Sequence, residues 1–243
     1  MTLKVIAYAR NGHTDKFGIP RQSREESPIL TRIVFEPEFA VAEALRGIEG
    51  YSHLWILWGF DQVESRKSKE ASDDWSPTVR PPRLGGNKRM GVFATRSPFR
   101  PNPIGLSSVK LVKVQRDHVQ GTKDFRIELL VAGADMLDGT PIYDIKPYLS
   151  FSDSHPKAKN GFAEETKDYV LDVRWDDAQG TEEVPEDVRR DVAYILRQDP
   201  RPAYQDDPKR EYKMDYGGWR VTFSVEKDGN SKSTVYIHSI YKV

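Results

Sequence analysis

The chain has 243 residues, enough for one large or two modest domains with a sizeable core, and 37% hydrophobic against 30% charged residues mark a polar globular protein. No apolar run reaches the roughly 18 residues of a membrane span, MTLKVIAYAR lacks the apolar region and cleavage site of a signal peptide, and the absence of cysteine excludes disulfides, thiolate metal sites and a Cys nucleophile. Thirty-seven basic residues balance 37 acidic ones, which argues against a simple nucleic-acid coat and, with no cysteine, fits a reducing cytoplasm.

In chain order, LKVIAYA, HLWILWGF, MGVFAT, LSSVKLVKVQ, FRIELLVAGA and PIYDIKPYL read as short strands split by Gly/Pro clusters over residues 1 to about 155. That spacing predicts a mainly β, antiparallel barrel or sandwich. One helix is expected near Phe39 to Leu45, and SRKSKEASDD (Ser65 to Asp74) is expected to be a solvated loop. In GVFATRSPFRPNPIGLSSVKL, Pro98, Pro101 and Pro103 lack N–H donors and have fixed φ, so a stiff loop carrying Arg96 and Arg100 is predicted. LDGT (Leu137 to Thr140) reads as a tight turn.

Residues 156–185 read as an acidic, irregular connection. PEDVRRDVAYILRQDP follows it, with Val188, Val192, Ile195 and Leu196 at helical spacing between Pro185 and Pro200. WRVTFSVEKDGNSKSTVYIHSIYKV reads as a hairpin turning at KDGN, so residues 186–243 form a small α+β C-terminal subdomain. The expected division is therefore 1–155, 156–185 and 186–243.

The neutral average hides a pattern. No acid occurs between Asp74 and Asp117, a stretch holding Arg80, Arg83, Lys88, Arg89, Arg96, Arg100, Lys110, Lys113 and Arg116, while acids crowd Ala163 to Asp191. Such a basic stretch can hold phosphates by counterion release, or can be no more than a solvated basic face.

Several site types are missing. No glycine-rich phosphate loop ends in Gly-Lys-Ser/Thr, no G-x-G-x-x-G follows a strand, and no nucleophile elbow occurs. His13, His53, His118, His155 and His238 show no close metal-ligand spacing, so no metal is expected. An enzyme of this composition would take its difficult chemistry from a cofactor or a reactive substrate.

Four stretches stand out: IPRQS, YSHLWILWGFDQV, RPPRLGGNKRMGVFATRSPFRPNPIGLS and LDGTPIYDIKPYL. Singly, each has a plain reading. Arg21 and Gln22 suit a surface, Trp55 and Trp58 a core, His53 a structural hydrogen bond, Gly85 and Gly86 a turn. Together and in this order they resemble the TsaA-like family, also called TrmO, of S-adenosylmethionine-dependent tRNA methyltransferases. The resemblance covers residues 3 to about 155 and resumes at QDPRPAY (Gln198 to Tyr204).

That resemblance implies a barrel-like antiparallel methyltransferase without a nucleotide-binding α/β sheet, acting as a homodimer. Its acceptor would be the N6 nitrogen of threonylcarbamoyladenosine at position 37 of threonine tRNA. Cofactor contacts carried over by position fall on Pro20, Arg21, Gln22, Asp61, Gln62, Arg96, Leu106, Leu137, Asp138, Gly139 and Thr140. Asp61 stands where many members have His. Arg83, Arg96 and Arg100 are candidates for electrostatic activation of the acceptor nitrogen. Arg83, Arg100, Asn102, Arg201 and Tyr204 are candidates for RNA contacts, Tyr204 by stacking. Two alternatives stay open: a non-catalytic RNA-binding barrel, and the same methyl transfer to another acceptor.

Overall fold

Alternation decides the first layer of structure. In β3 (His53–Gly59), Leu54, Ile56 and Trp58 point to one side and are buried. In β7 (Phe125–Ala132), Ile127, Leu129 and Val131 do the same. These strands join β1 (Ala7–Arg10), β2 (Leu30–Phe35), β6 (Ile104–His118) and β8 (Pro141–Pro147) in a closed barrel of order β1-β2-β7-β6-β3-β8, every pairing antiparallel. Closure leaves no open sheet edge, and inward side chains fill the interior. Ala7, Ala9, Ile33, Val109 and Ile142 complete that core with the residues above.

The computed structural model describes residues 2–20, 22–24, 26–60, 75–81, 88–118, 125–201, 207, 210–227 and 233–243. Its contacts divide the chain into two units, Met1–Asn11 with Gln22–Asp153 and Gly12–Arg21 with Ser154–Val243. The barrel lies in the first.

The long β6 pairs with different neighbours along its length. Residues 104–110 pair with β3 and residues 110–118 with β7, with an irregularity between Leu111 and Lys113 that leaves Val112 exposed. Opposite Trp58 stands Gly105, and any side chain there would collide with the indole, since a Cβ would lie 2.2 Å from it. Only glycine leaves room for the ring there.

Two expected elements differ in the first unit. The helix near Phe39 to Leu45 is instead a 3₁₀ turn, Ala42–Leu45, followed by another at Ile48–Gly50. Only Leu45 of the first turn is buried, Val41 gives it no side-chain cap, and Gly47 adopts φ 88° between the two. A segment this short cannot repay helix nucleation. MGVFAT is likewise only partly a strand: β5 (Met90–Gly91) pairs with β4 (Thr78–Val79), and Val92–Ala94 then turns. Residues 30–35 form β2, which the run-by-run reading passed over.

The second unit holds a sheet of order β10-β11-β12-β9, from Tyr212–Tyr216, Trp219–Lys227, Ser233–Lys242 and Asp172–Arg174. β9 pairs in parallel with β12, so part of the acidic stretch belongs to this sheet. The helix Glu186–Arg197 follows Pro185 and buries Val192, Ile195 and Leu196. The KDGN turn lies largely outside the described residues, but β11 and β12 pair as the expected hairpin.

Residues 12–21, sequence neighbours of β1, cluster with this second unit. Phe17 stacks on Tyr212 at 6.1 Å, and Asp15 caps the turn Lys16–Gly18 by accepting from the Phe17 N–H. His13 is buried edge-on against Tyr216, whose hydroxyl donates to the buried Asp191 at 2.8 Å.

Burial lowers the His13 pKa from 6.5 to about 4. The native state therefore holds the ring neutral. That contribution to stability is whole above pH 6.5 and is lost as pH falls from 6.5 towards 4, a span equivalent to about 3 kcal/mol. Protection factors of β10 and β11 amides, taken relative to intrinsic exchange at each pH, should fall over that interval in the wild-type protein and do so much less in His13→Gln. An equal fall in both would contradict the assignment.

Candidate functional site

Ser107 sits two residues beyond Gly105 on the same face of β6, so the Trp58 indole N–H reaches it and donates to its hydroxyl at 2.9 Å. Ser107 in turn donates to Asp135, which follows β7 between buried Ala134 and Met136. The Asp135 carboxylate also accepts from the main-chain N–H of Ser23 and feels the positive charge of Arg96. Arg96 donates to the Gln22 carboxamide oxygen. Ser23 is tied down as well, its hydroxyl donating to the Ser108 carbonyl. Three distant stretches, 22–23, 96 and 107–135, thus meet in one hydrogen-bonded cluster.

Burial raises the Asp135 pKa above its ordinary value. The bonds from Ser107, from its own main chain and from Ser23, and the nearby Arg96 charge, oppose the rise without cancelling it. The carboxyl is enclosed by protein although the residue keeps some exposed surface.

Leu106, between Gly105 and Ser107, points the other way. It is 55% exposed, an uncovered apolar surface in a strand. The 137–140 turn is held by Gly139 at φ 80°, by Gly139 N–H to the Ala9 carbonyl at 2.9 Å, and by Asp138. Asp138 accepts from the Asn11 N–H at 3.0 Å and lies 3.6 Å from Arg10. Its carboxylate shapes the turn first. Asn11 adds bonds to Thr31 and to the Met136 carbonyl.

Of the expected site residues, Gln22, Arg96, Leu106, Leu137, Asp138, Gly139 and Thr140 fall in the barrel unit, where the cluster links Gln22 with Arg96. Pro20 is buried in the second unit. Arg21, Asp61, Gln62, Arg83 and Tyr204 lie outside the described residues, as do the stretch Ser65 to Asp74, expected to be a loop, and the Gly85–Gly86 pair. Arg100 donates to the Val92 and Thr95 carbonyls at 3.1 and 2.8 Å, so its guanidinium braces the proline loop from within. Asn102 is exposed on that loop. In the second unit Arg201 is buried, and its fork is occupied by Asp199 at 2.8 and 3.0 Å. Trp58 is in the core as read, but Trp55 occupies one of the alternate, half-buried positions of β3 and donates to Asp153 at 2.8 Å, so it does not take the core place expected for it. His53 bonds Ser52, in keeping with its plain reading. Among the described residues, no group of three or more His, Cys, Asp or Glu could hold a metal ion.

Ser107 and Asp135 escaped the motif reading. Their signal was there: polar residues at inward positions of apolar runs are rare unless hydrogen-bonded.

The closed antiparallel barrel carries an arginine-bearing loop beside a buried polar cluster, and among the described residues it has no doubly wound nucleotide-binding sheet. Residues 8–154 match the tRNA-methyltransferase O N-terminal domain and residues 169–242 the TrmO C-terminal domain. The chain belongs to the TrmO family. It is 48% identical over 177 residues to the tRNA (adenine(37)-N6)-methyltransferase of Eikenella corrodens, covering 73% of this chain and 92% of that one. It is 39% identical over 225 residues to the enzyme of that name from Escherichia coli (strain K12), covering 90% and 89%. The crystal structure of TrmO from Pseudomonas aeruginosa matches with a TM-score of 0.70 at 28% identity, over 99% of this chain and 98% of that one.

Proposed function

We propose that this protein methylates the N6 nitrogen of adenosine 37 in tRNA, using S-adenosylmethionine, and that its acceptor is the threonylcarbamoyl form in threonine tRNA. The observation that carries this reading is the meeting of Gln22, Arg96, Ser107 and Asp135 in one cluster of a TrmO-type barrel.

The residues present fit the cofactor's chemistry. Exposed Leu106 offers an apolar platform for an adenine face, the Gln22–Arg96 pair a fork for a carboxylate, and the 137–140 turn main-chain groups for hydroxyls and ammonium. S-adenosylmethionine, when bound, supplies a methyl group already activated on a sulfonium. What remains for the protein is positioning and exclusion of water, which can contribute on the order of 7–11 kcal/mol in favourable cases. An acylated exocyclic nitrogen has a more acidic proton than plain adenine. A guanidinium nearby favours its loss without a strong base, and the role is assigned to Arg96, which the bond to Gln22 orients. Arg100 supports it by stiffening the loop.

The acid-free stretch holds backbone phosphates of the anticodon loop, with Asn102 near the modified base. A homodimer joins two such faces and extends the reach of a chain whose net charge is zero. The place of action is the cytoplasm, where tRNA is found; no helix among the described residues is long and apolar enough to cross a membrane.

The test is incubation with labelled S-adenosylmethionine and threonine tRNA with and without the threonylcarbamoyl group, followed by nucleoside mass spectrometry. One added methyl on the modified nucleoside, absent from the unmodified tRNA, is the expected result. Methylation of both alike would reassign the acceptor, and methylation of neither would leave the binding-module reading.

A further inference from the structure

The small hairpin β4–β5 lies outside the barrel's strand order and outside the cluster around Arg96. Its two strands pair Thr78 with Gly91 and Val79 with Met90, and the Val92 N–H donates to the Pro77 carbonyl at 2.9 Å. This closure brings the residues just outside the pairing together. Trp75 and Phe93 stand with ring centroids 5.4 Å apart, tilted by 42°. Val92 is buried and anchors the turn, so Phe93 after it is turned outward and is 74% exposed; Trp75 is also exposed. A solvent-facing aromatic pair of this kind leaves ring faces uncovered and is costly to keep without a partner.

The flanks say which partner. Arg80, Lys88 and Arg89 on the same hairpin are all exposed, and Arg89 is steadied by donating to the Thr78 hydroxyl at 2.7 Å. From Trp75 to Arg116 the sequence contains no acid. An aromatic pair on a hairpin whose other end carries exposed cations matches a polymer that alternates flat bases with phosphates. It does not match a purely apolar partner surface.

We propose that Trp75 and Phe93 form a stacking platform for an unpaired nucleobase of the substrate tRNA, with Arg80, Lys88 and Arg89 gripping the neighbouring phosphates. The proposal rests on the function proposed above and adds the surface by which the protein recognises single-stranded loop structure beside the target adenosine.

The test measures binding of the full-length protein to an unmodified threonine-tRNA anticodon stem-loop across a salt series. Trp75→Ala and Phe93→Ala should each weaken binding about tenfold, in line with the loss of one stacked base. Neither should change the slope of log K against log salt, because no phosphate contact is removed, whereas Arg89→Ala should reduce that slope by about 1. Trp75→Phe, which keeps a ring, should restore most of the affinity. S-adenosylmethionine affinity and the thermal midpoint should be unchanged in the aromatic variants.

RNA affinity unaltered in both alanine variants overturns the proposal. So does a change in sedimentation mass with RNA binding intact, which would mean that the face meets a second copy of the chain. If the wild-type protein binds the stem-loop and loses affinity in the variants but methylates no tRNA, the platform stands and the proposed reaction falls.

Discussion

Arg96→Ala should lower kcat/KM for tRNA methylation by about a hundredfold. The guanidinium donates to the Gln22 carboxamide and lies in the field of the Asp135 carboxyl, interactions that orient it before it acts. Removing one preorganised donor aimed at developing charge costs about 10²–10³ in rate. A charge-assisted bond lost from cofactor binding alone costs about 1.5–3 kcal/mol, roughly tenfold to 150-fold in affinity. The two roles separate in the measurement. If Arg96 serves the acceptor nitrogen, kcat falls and calorimetric affinity for S-adenosylmethionine holds. If it forks the cofactor carboxylate, that affinity falls instead. Arg96→Lys retains the charge without the planar fork and should recover part of the first effect but little of the second. Activity of Arg96→Ala within threefold of wild type would remove Arg96 from the site.

Asp135→Ala should destabilise the barrel unit by about 4 kcal/mol. The change strips the acceptor from the Ser107 hydroxyl and from the Ser23 N–H, and each enclosed donor left unpaired costs about 1–3 kcal/mol. Asp135→Asn keeps the shape and an acceptor for Ser107 but sets an amide N–H₂ against one of the other donors, so it should lie between. Its value is in the pH dependence. The native carboxyl has a pKa raised above the ordinary 3.8, chiefly by burial. In the window between 3.8 and that raised value the folded state binds more protons than the unfolded chain. Stability is therefore whole below 3.8 and declines as pH rises through the window. Urea unfolding of the barrel unit should show this decline in the wild-type protein and not in Asp135→Asn. A wild-type profile that rises there would mean that the carboxylate is favoured in the fold.

Much of the barrel was legible because its strands carry their own period. HLWILWGF and FRIELLVAGA alternate between inward aliphatics and outward residues, and they became β3 and β7 almost as read. Where length rather than pattern decides, reading failed. The stretch near Phe39 to Leu45 has apolar residues at helical spacing but no room to extend before Gly47, and it settles as a 3₁₀ turn. β2 and β10 are short and carry charges between their apolar positions, so only their partners reveal them. β9 pairs in parallel with β12 from the middle of an acidic stretch, and no local signal marks a strand of three residues.

The site divides in the same way. Rigidity of the Pro98–Pro103 loop and the tightness of the LDGT turn follow from proline's fixed φ and glycine's freedom at Gly139, properties of single residues that hold in any fold. The sequence alone thus determined the strand class, the lack of metal-binding or nucleotide-loop motifs, and which segments are stiff enough to carry a site. Only the tertiary structure decided that Arg96 meets Gln22 while Arg100 turns inward to brace its loop, and that Ser107 and Asp135 share a hydrogen bond. Those pairings span up to 74 residues of chain, a separation at which partners are set by barrel closure and register rather than by local preference.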